Sequence, residues 1–144
     1  MTRSAEVSIE VTRDIAACRA LRRVVFIEEQ DVSEADEVDD LDDVAIHLLA
    51  LRDGRPVGTA RLLVNGSIGK IGRVCVLREA RGTGLGAALM RAAVDRFRAM
   101  PGLRKVKLGA QRHATGFYAV LGFRVVGEPY MDAGIEHLEM ALDL

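Results

Sequence analysis

The chain has 144 residues, 49% of them hydrophobic, and a formal net charge of -1, enough apolar material for the core of a single domain spanning residues 1–144. Near-neutral charge, no tryptophan and no long basic tract or interleaved aromatic platform argue against a nucleic-acid partner. Apolar stretches such as VAIHLLAL are too short to span a bilayer, MTRSAEVSIEV has no signal-peptide core, and Cys18 and Cys75 are too few for a disulfide framework. A cytoplasmic protein without membrane association is expected, and with no CxxC or His/Cys cluster at metal spacing, no metal.

In chain order, Val7–Thr12 alternates as a strand, and Asp14 then caps a helix on which Ile15, Cys18, Leu21 and Val25 recur at helical spacing. Glu28 and Glu29 close that helical region. Residues 34–43 hold seven carboxylates in ten positions and read as a solvated loop, whose functional version is attraction of a cationic amine by exposed charge. Strands follow over roughly 44–52, 56–64 and 70–77, joined by the hairpin signals Asp53-Gly54 and Asn65-Gly66. A glycine-rich turn then opens into a long amphipathic helix with Leu85, Leu89, Ala93 and Phe97 inward and Arg91, Asp95 and Arg98 outward, ended by Pro101 and Gly102. The rest reads as a strand near 105–109, a short helix near 115–121, and strands near 123–128 and 136–142. No linker, repeat or low-complexity segment marks a second domain.

The turn RGTGLG carries most of the functional information. Gly82, Gly84 and Gly86 let the backbone bend tightly and approach a ligand, and the first amides of the following helix have no intrahelical partner, so the segment is an anion site suited to a pyrophosphate, with Arg81 at its mouth. A Walker loop is ruled out, since no lysine follows these glycines. Gly82, Gly84 and Ala87 satisfy the dinucleotide pattern GxGxxA, but the positions about twenty residues on carry Arg104, Lys105 and Lys107, and only about forty residues remain beyond them, too few for a doubly wound sheet. An NADP-dependent reductase is thus a weak rival.

Read as Q/RxxGxG/A, the same letters resemble the acetyl-CoA loop of the GNAT superfamily of N-acetyltransferases. RVCVLREARGTGLG (73–86) resembles its fourth strand and pyrophosphate loop, and AQRHATGFYAVLGF (110–123) its fifth strand, following helix and YxxxGF ending. VFIEEQDVSEADEVDDLDD (25–43), AIHLLALRDGRPVGTARLL (45–63) and GIEHLEM (134–140) resemble the ElaA-like branch of small bacterial members. The resemblance implies an α/β GNAT acyl-CoA N-acyltransferase fold: a mixed, mostly antiparallel central sheet, flanked by helices, whose parallel fourth and fifth strands splay apart to admit pantetheine. It also implies backbone contacts to pantetheine and thioester from Val74, Cys75 and Val76, with Arg81, Gly82, Thr83, Gly84, Leu85, Gly86 and Ala87 holding the pyrophosphate. Gln111 stands where many members carry an asparagine that contacts acetyl-CoA.

The reaction implied is direct attack of a neutral primary amine on the acetyl-CoA thioester. An alkylamine is mostly protonated at pH 7, and reaching its neutral form costs roughly 4 to 5 kcal/mol, so a proton acceptor is expected. The sequence offers Glu28, Glu29, His113 and His137; the resemblance favours Glu29, then His113. Tyr118 matches the position whose phenol approaches the thioester sulfur, as general acid or hydrogen-bond donor, and its ring also belongs to the apolar stripe of a packed helix. A covalent route through Cys75 lacks an activating base in register with it.

The acceptor, a small-molecule amine or a lysine side chain, is not specified, because acceptor pockets are built from variable loops such as 26–43 and 128–136. A non-catalytic acyl-CoA-sensing or protein-interaction module of the same fold is the alternative, and an exposed strand edge leaves homodimer pairing open.

Overall fold

The computed structural model describes residues 6–144; residues 1–5, on which part of the expectation about a signal peptide falls, lie outside the described residues. One twisted sheet organises the chain. Its strands are β1 (Val7–Thr12), β2 (Ile46–Arg52), β3 (Arg55–Asn65), β4 (Ile68–Val76), β5 (Lys105–Gln111), β6 (Arg124–Val125), β7 (Tyr130–Asp132) and β8 (Ile135–Asp143), in the order β1-β2-β3-β4-β5-β8-β6, with β7 also on β8. All neighbours are antiparallel except β4 and β5, which are parallel and joined by the long helix.

The run IHLLALR in β2 is apolar without alternation because both faces of the sheet are covered. Leu48 and Ala50 pack under the helix Leu85–Arg98, whereas Leu49 pairs with Cys18, Leu21 and Val25 of the first helix, so adjacent residues serve opposite layers. The inward stripe Leu85, Leu89, Ala93 and Phe97 is buried as the spacing predicts. Phe97 lies flat on Gly69 of β4, where a Cβ would stand only 2.7 Å from its ring.

The first helix, α1 (Ile15–Arg22), is capped by Asp14, whose carboxylate accepts from the Ala17 amide at 3.1 Å. It then widens into a π-helical segment over Arg23–Glu29, closed by the Gln30 amide donating to the Val25 carbonyl at 3.2 Å. That widening, a one-turn helix α2 (Glu34–Glu37) and strand β7 are absent from the sequence reading. Other expectations shift. The second hairpin turns on Gly66-Ser67 instead of Asn65-Gly66, because Asn65 still pairs with Ile68 and Gly66 takes φ +61 at the first turn position. The strand expected over 123–128 keeps only Arg124 and Val125 in register, with Gly127 and Pro129 interrupting it.

The acidic segment departs most from expectation. Glu34, Asp36, Asp40 and Asp43 are exposed, but Glu37 and Asp42 are buried and Asp39 half-buried, neutralised by arginines from three other elements. Arg22, only 1% exposed, donates to Glu37 at 2.6 Å and forks onto both Asp42 oxygens at 2.9 Å. Arg61 of β3 clasps Asp39 at 2.7 and 3.0 Å and reaches Asp42 at 3.2 Å, and Arg19 adds a further contact to Asp42 at 2.9 Å. Drawing Asp42 inward makes Asp42–Val44 a 3₁₀ turn, so β2 starts at Ile46, two residues later than expected. Neither a purely solvated loop nor a field of free charge describes this segment: its inner half is a buried ion-pair lattice.

Burial alone pushes the Asp42 carboxyl up, but hydrogen bonds from Arg22, Arg19 and Arg61 overcome that and hold it well below the ordinary carboxylate range. A carboxyl depressed in the folded state stabilises the fold above its unfolded value near 4, and that stabilisation is lost as pH falls. Asp42→Asn is therefore expected to lower the unfolding free energy by about 3 to 5 kcal/mol in urea titration at pH 7, with the gap from the parent narrowing between about pH 4 and pH 2.

Candidate active site

β4 and β5 share only four rungs, Ile68 with Lys105 through Ile71 with Leu108, and then separate. The cause lies in β4. Arg61 pairs with Gly72 and Thr59 with Cys75, so Arg73 and Val74 together oppose Ala60, and Arg73 takes φ +50, a left-handed conformation unusual for a residue with a side chain. β5 meanwhile stays on β8 out to the pair Gln111 and His137. Backbone groups of residues 72–76 on the β5 side are thus left without a ladder, the arrangement an amide-bearing linear ligand can complete.

The glycine turn sits at the end of β4. Gly82 and Gly84 have φ +76 and +82, and a Cβ on either would meet open space, so their requirement is conformational. Gly84 caps α3 (Leu85–Arg98), and the first backbone bond into the helix is the Ala88 amide to the Gly84 carbonyl at 3.0 Å. Among the described residues, no acceptor takes the amides of residues 82–87, which stand at the positive end of a 14-residue helix. Thr83 ties its hydroxyl to the Ala80 carbonyl at 2.6 Å, a bond internal to the turn.

Arg81 is turned back from the mouth of the loop. Its Nε donates to the Val76 carbonyl at 2.9 Å and its Nη2 lies 2.8 Å from Glu29, which also has Arg78 at 3.7 Å. Glu29 therefore braces the loop entrance with its carboxylate between two guanidinium groups, and does not line the cleft described next.

That cleft, of about 340 Å³, lies on the α1 side of the sheet beside the splay and is bordered by Val74, Gln111, His113, Tyr118, Tyr130 and His137. Tyr118, on α4 (Thr115–Val120), packs edge-on between Phe117 at 5.0 Å and Phe123 at 6.2 Å. Burial pushes its phenol up, which keeps it protonated and able to donate. Gln111 gives its side-chain amide to Gln30 at 2.8 Å, bridging β5 to the end of the π-helical segment. His113 is exposed in the turn after β5. Cys75 faces the opposite way from the neighbouring Val74 and Val76, into the packing under α1, and burial pushes its thiol up to about 12. Gln30, Arg73 and Tyr130 escape the sequence reading; the one available signal is Gly109 inside a strand, since a Cβ there would collide with the Tyr130 hydroxyl.

Residues 24–144 match the acetyltransferase (GNAT) domain family. Protein YyaT of Bacillus subtilis (strain 168) is 36% identical over 94% of this chain and 93% of its own length. Protein ElaA of Escherichia coli (strain K12) is 34% identical over 86% of this chain and 84% of its own. The crystal structure of an acyl-CoA N-acyltransferase from Pseudomonas aeruginosa superposes with a TM-score of 0.84 at 34% identity, covering 96% of this chain and 99% of that one. The chain belongs to the GNAT acetyltransferase family and has its acyl-CoA N-acyltransferase fold. Acyl transfer from an acyl-CoA is the chemistry of that family.

Giving Gly84 a side chain opposes its left-handed backbone by about 1 to 2 kcal/mol. Gly84→Ala is expected to weaken coenzyme A binding about tenfold in calorimetry, with a loss of no more than a few degrees in Tm.

Proposed function

We propose that this protein moves the acetyl group of acetyl-CoA to a primary amine by direct attack within a ternary complex. The observation that carries the reading is the conjunction of a β4–β5 ladder that stops after four rungs with a cluster of unpartnered amides immediately downstream. Pantetheine carries the amides that a broken ladder lacks, and a diphosphate carries the charge that a helix N-terminus favours.

In this reading the amides of Gly82, Thr83, Gly84, Leu85, Gly86 and Ala87 hold the pyrophosphate, and the backbone of Val74, Cys75 and Val76 receives pantetheine and the thioester carbonyl. Arg81 contributes by fixing the loop through Val76 and Glu29, its own charge being offset by Glu29. The acceptor enters from the cleft. Its nitrogen attacks the thioester carbon, the oxyanion is met by an amide of the opened strand, and the C–S bond breaks as the adduct collapses. Tyr118 faces that cleft and supplies a proton to the departing thiolate. Gln111, engaged by Gln30, shapes the wall between pantetheine and acceptor. The expectation that Glu29 accepts the amine's proton gives way to this bracing role, because its carboxylate is committed to Arg81 and Arg78. No helix among the described residues is long and apolar enough to cross a membrane.

The deciding experiment is acetyl-CoA consumption with spermidine, glucosamine, kanamycin, glutamate and a lysine peptide, the acetylated product being identified by mass. Acetyl-CoA binding without consumption would instead support a sensor. Tyr118→Phe is expected to lower kcat about 10- to 100-fold with coenzyme A affinity unchanged, as loss of a proton donor to the leaving group requires. Cys75→Ala is expected to keep turnover within about threefold of the parent, since a thiol that burial pushes up to about 12 has almost no thiolate to act as an acetyl carrier; loss of turnover in a folded variant would restore the covalent route.

A further inference from the structure

We infer that His137 is the group that takes the proton from the acceptor ammonium, through Nε2, with Tyr130 holding its ring in place. The inference rests on the acetyltransferase reading above and names a residue that reading leaves unassigned.

His137 lies on β8 directly opposite Gln111, at the last rung of β5, and borders the cleft together with Tyr118 and His113. Its Nδ1 is 2.7 Å from the Ile135 carbonyl oxygen. A carbonyl oxygen only accepts, so Nδ1 carries the hydrogen, and the neutral ring keeps its lone pair on Nε2. The plane of the ring is fixed as well: Tyr130 stacks on it with centroids 5.7 Å apart and planes 26° apart. Tyr130 is seated in turn because its hydroxyl occupies the space above Gly109, in the part of β5 that has left β4. A histidine with one nitrogen committed to a backbone acceptor, its ring clamped, and its basic nitrogen without a partner among the described residues is arranged as a proton acceptor. His113 shares the cleft but has neither ring nitrogen engaged by a described residue, and Glu29 is spent on Arg81.

The charged groups around the ring are mostly paired. Glu139, two residues on along the same face, lies 3.6 Å from Lys107 of β5, and Glu136 lies 2.6 Å from Arg112 of the turn after it. Asp132 of β7 and His113 also border the cleft. The proton balance closes. One N–H bond of the ammonium breaks and its proton passes to Nε2, and the amine lone pair so released forms the bond to the thioester carbon. The second proton lost by nitrogen as the adduct collapses balances the one the thiolate collects from Tyr118, so one proton leaves to water per amide formed.

The test uses the full chain and whichever amine of the panel above is turned over fastest. His137→Asn keeps a side-chain N–H near the position of Nδ1 and removes the base. It is expected to lower kcat/KM for the amine about 10²- to 10³-fold at pH 7 while Tm and coenzyme A affinity stay those of the parent. The variant's kcat/KM should climb about tenfold per pH unit through the range in which the parent has levelled off, since its amine must lose the proton in bulk water. His137→Gly should regain activity on addition of imidazole, which a purely structural role would not produce. Turnover within about threefold of the parent, or a pH profile parallel to it, overturns the assignment. If His137→Asn does not fold, the imidazole response of His137→Gly decides, and a flat response overturns it. A parent that turns over no amine of the panel overturns the acetyltransferase reading first.

Discussion

The constraint on which this molecule turns is the parting of β4 from β5 after four shared rungs. A parallel pair in the middle of a sheet ordinarily continues until its strands end, because every abandoned rung exposes backbone groups that must find other partners. Here the two-for-one bulge at Arg73 and Val74 bends β4 away, while β5 remains bound to β8 along its whole length. The opening and the cleft beside it follow from that single departure from regular pairing, and the amide cluster at the start of α3 lies just beyond it.

A left-handed arginine in mid-strand is costly, by about 1 to 3 kcal/mol, and persists only where the surroundings over-determine it. The buried ion lattice supplies that. Arg73 reaches the Glu37 carbonyl at 3.2 Å and Asp39 at 3.3 Å, and Asp39 is itself clasped by Arg61 of the strand next door. Glu37 and Asp42 are held by Arg22 from α1. Four elements distant in sequence thus meet around three carboxylates, and the strand bulge is one of the things they fix. The acidic residues look like surface charge in the sequence and serve as internal cross-links in the fold.

How far the sequence discloses this depends on whether a feature is local. Strand β1, the Asp14 cap, the inward face of α3 and the RGTGLG turn are written in periodicity, capping chemistry and glycine placement, and they stand where the residues indicate. The β4–β5 splay is implied by the family resemblance alone, since no pattern in RVCVLRE reveals which strand it will leave. The inward turn of Glu37, Asp39 and Asp42 depends on partners 15 to 22 residues away, Arg22 and Arg61, and a window along the chain cannot see them. Ala133 at φ +50 beside Gly134 makes the β7–β8 hairpin, and Ala-Gly is not a recognised turn signal, so the hairpin that carries Tyr130 to His137 leaves no mark in the sequence. His137 is visible as a letter, but what orients it is not.

The contact of Phe97 with Gly69 has a mechanical consequence. Helix α3 is 14 residues long, which at 1.5 Å per residue places its two ends about 20 Å apart. Near one end an aromatic ring fills a space that only a bare Cα leaves open, a close-packed contact that opposes sliding or rolling of the helix on the sheet. The glycines at the other end are supple, yet the seat they form inherits its registry from that distant contact. The position of the unpartnered amides is thereby tied to packing about a helix length away, and a methyl group added at Gly69 would be felt at the glycine turn.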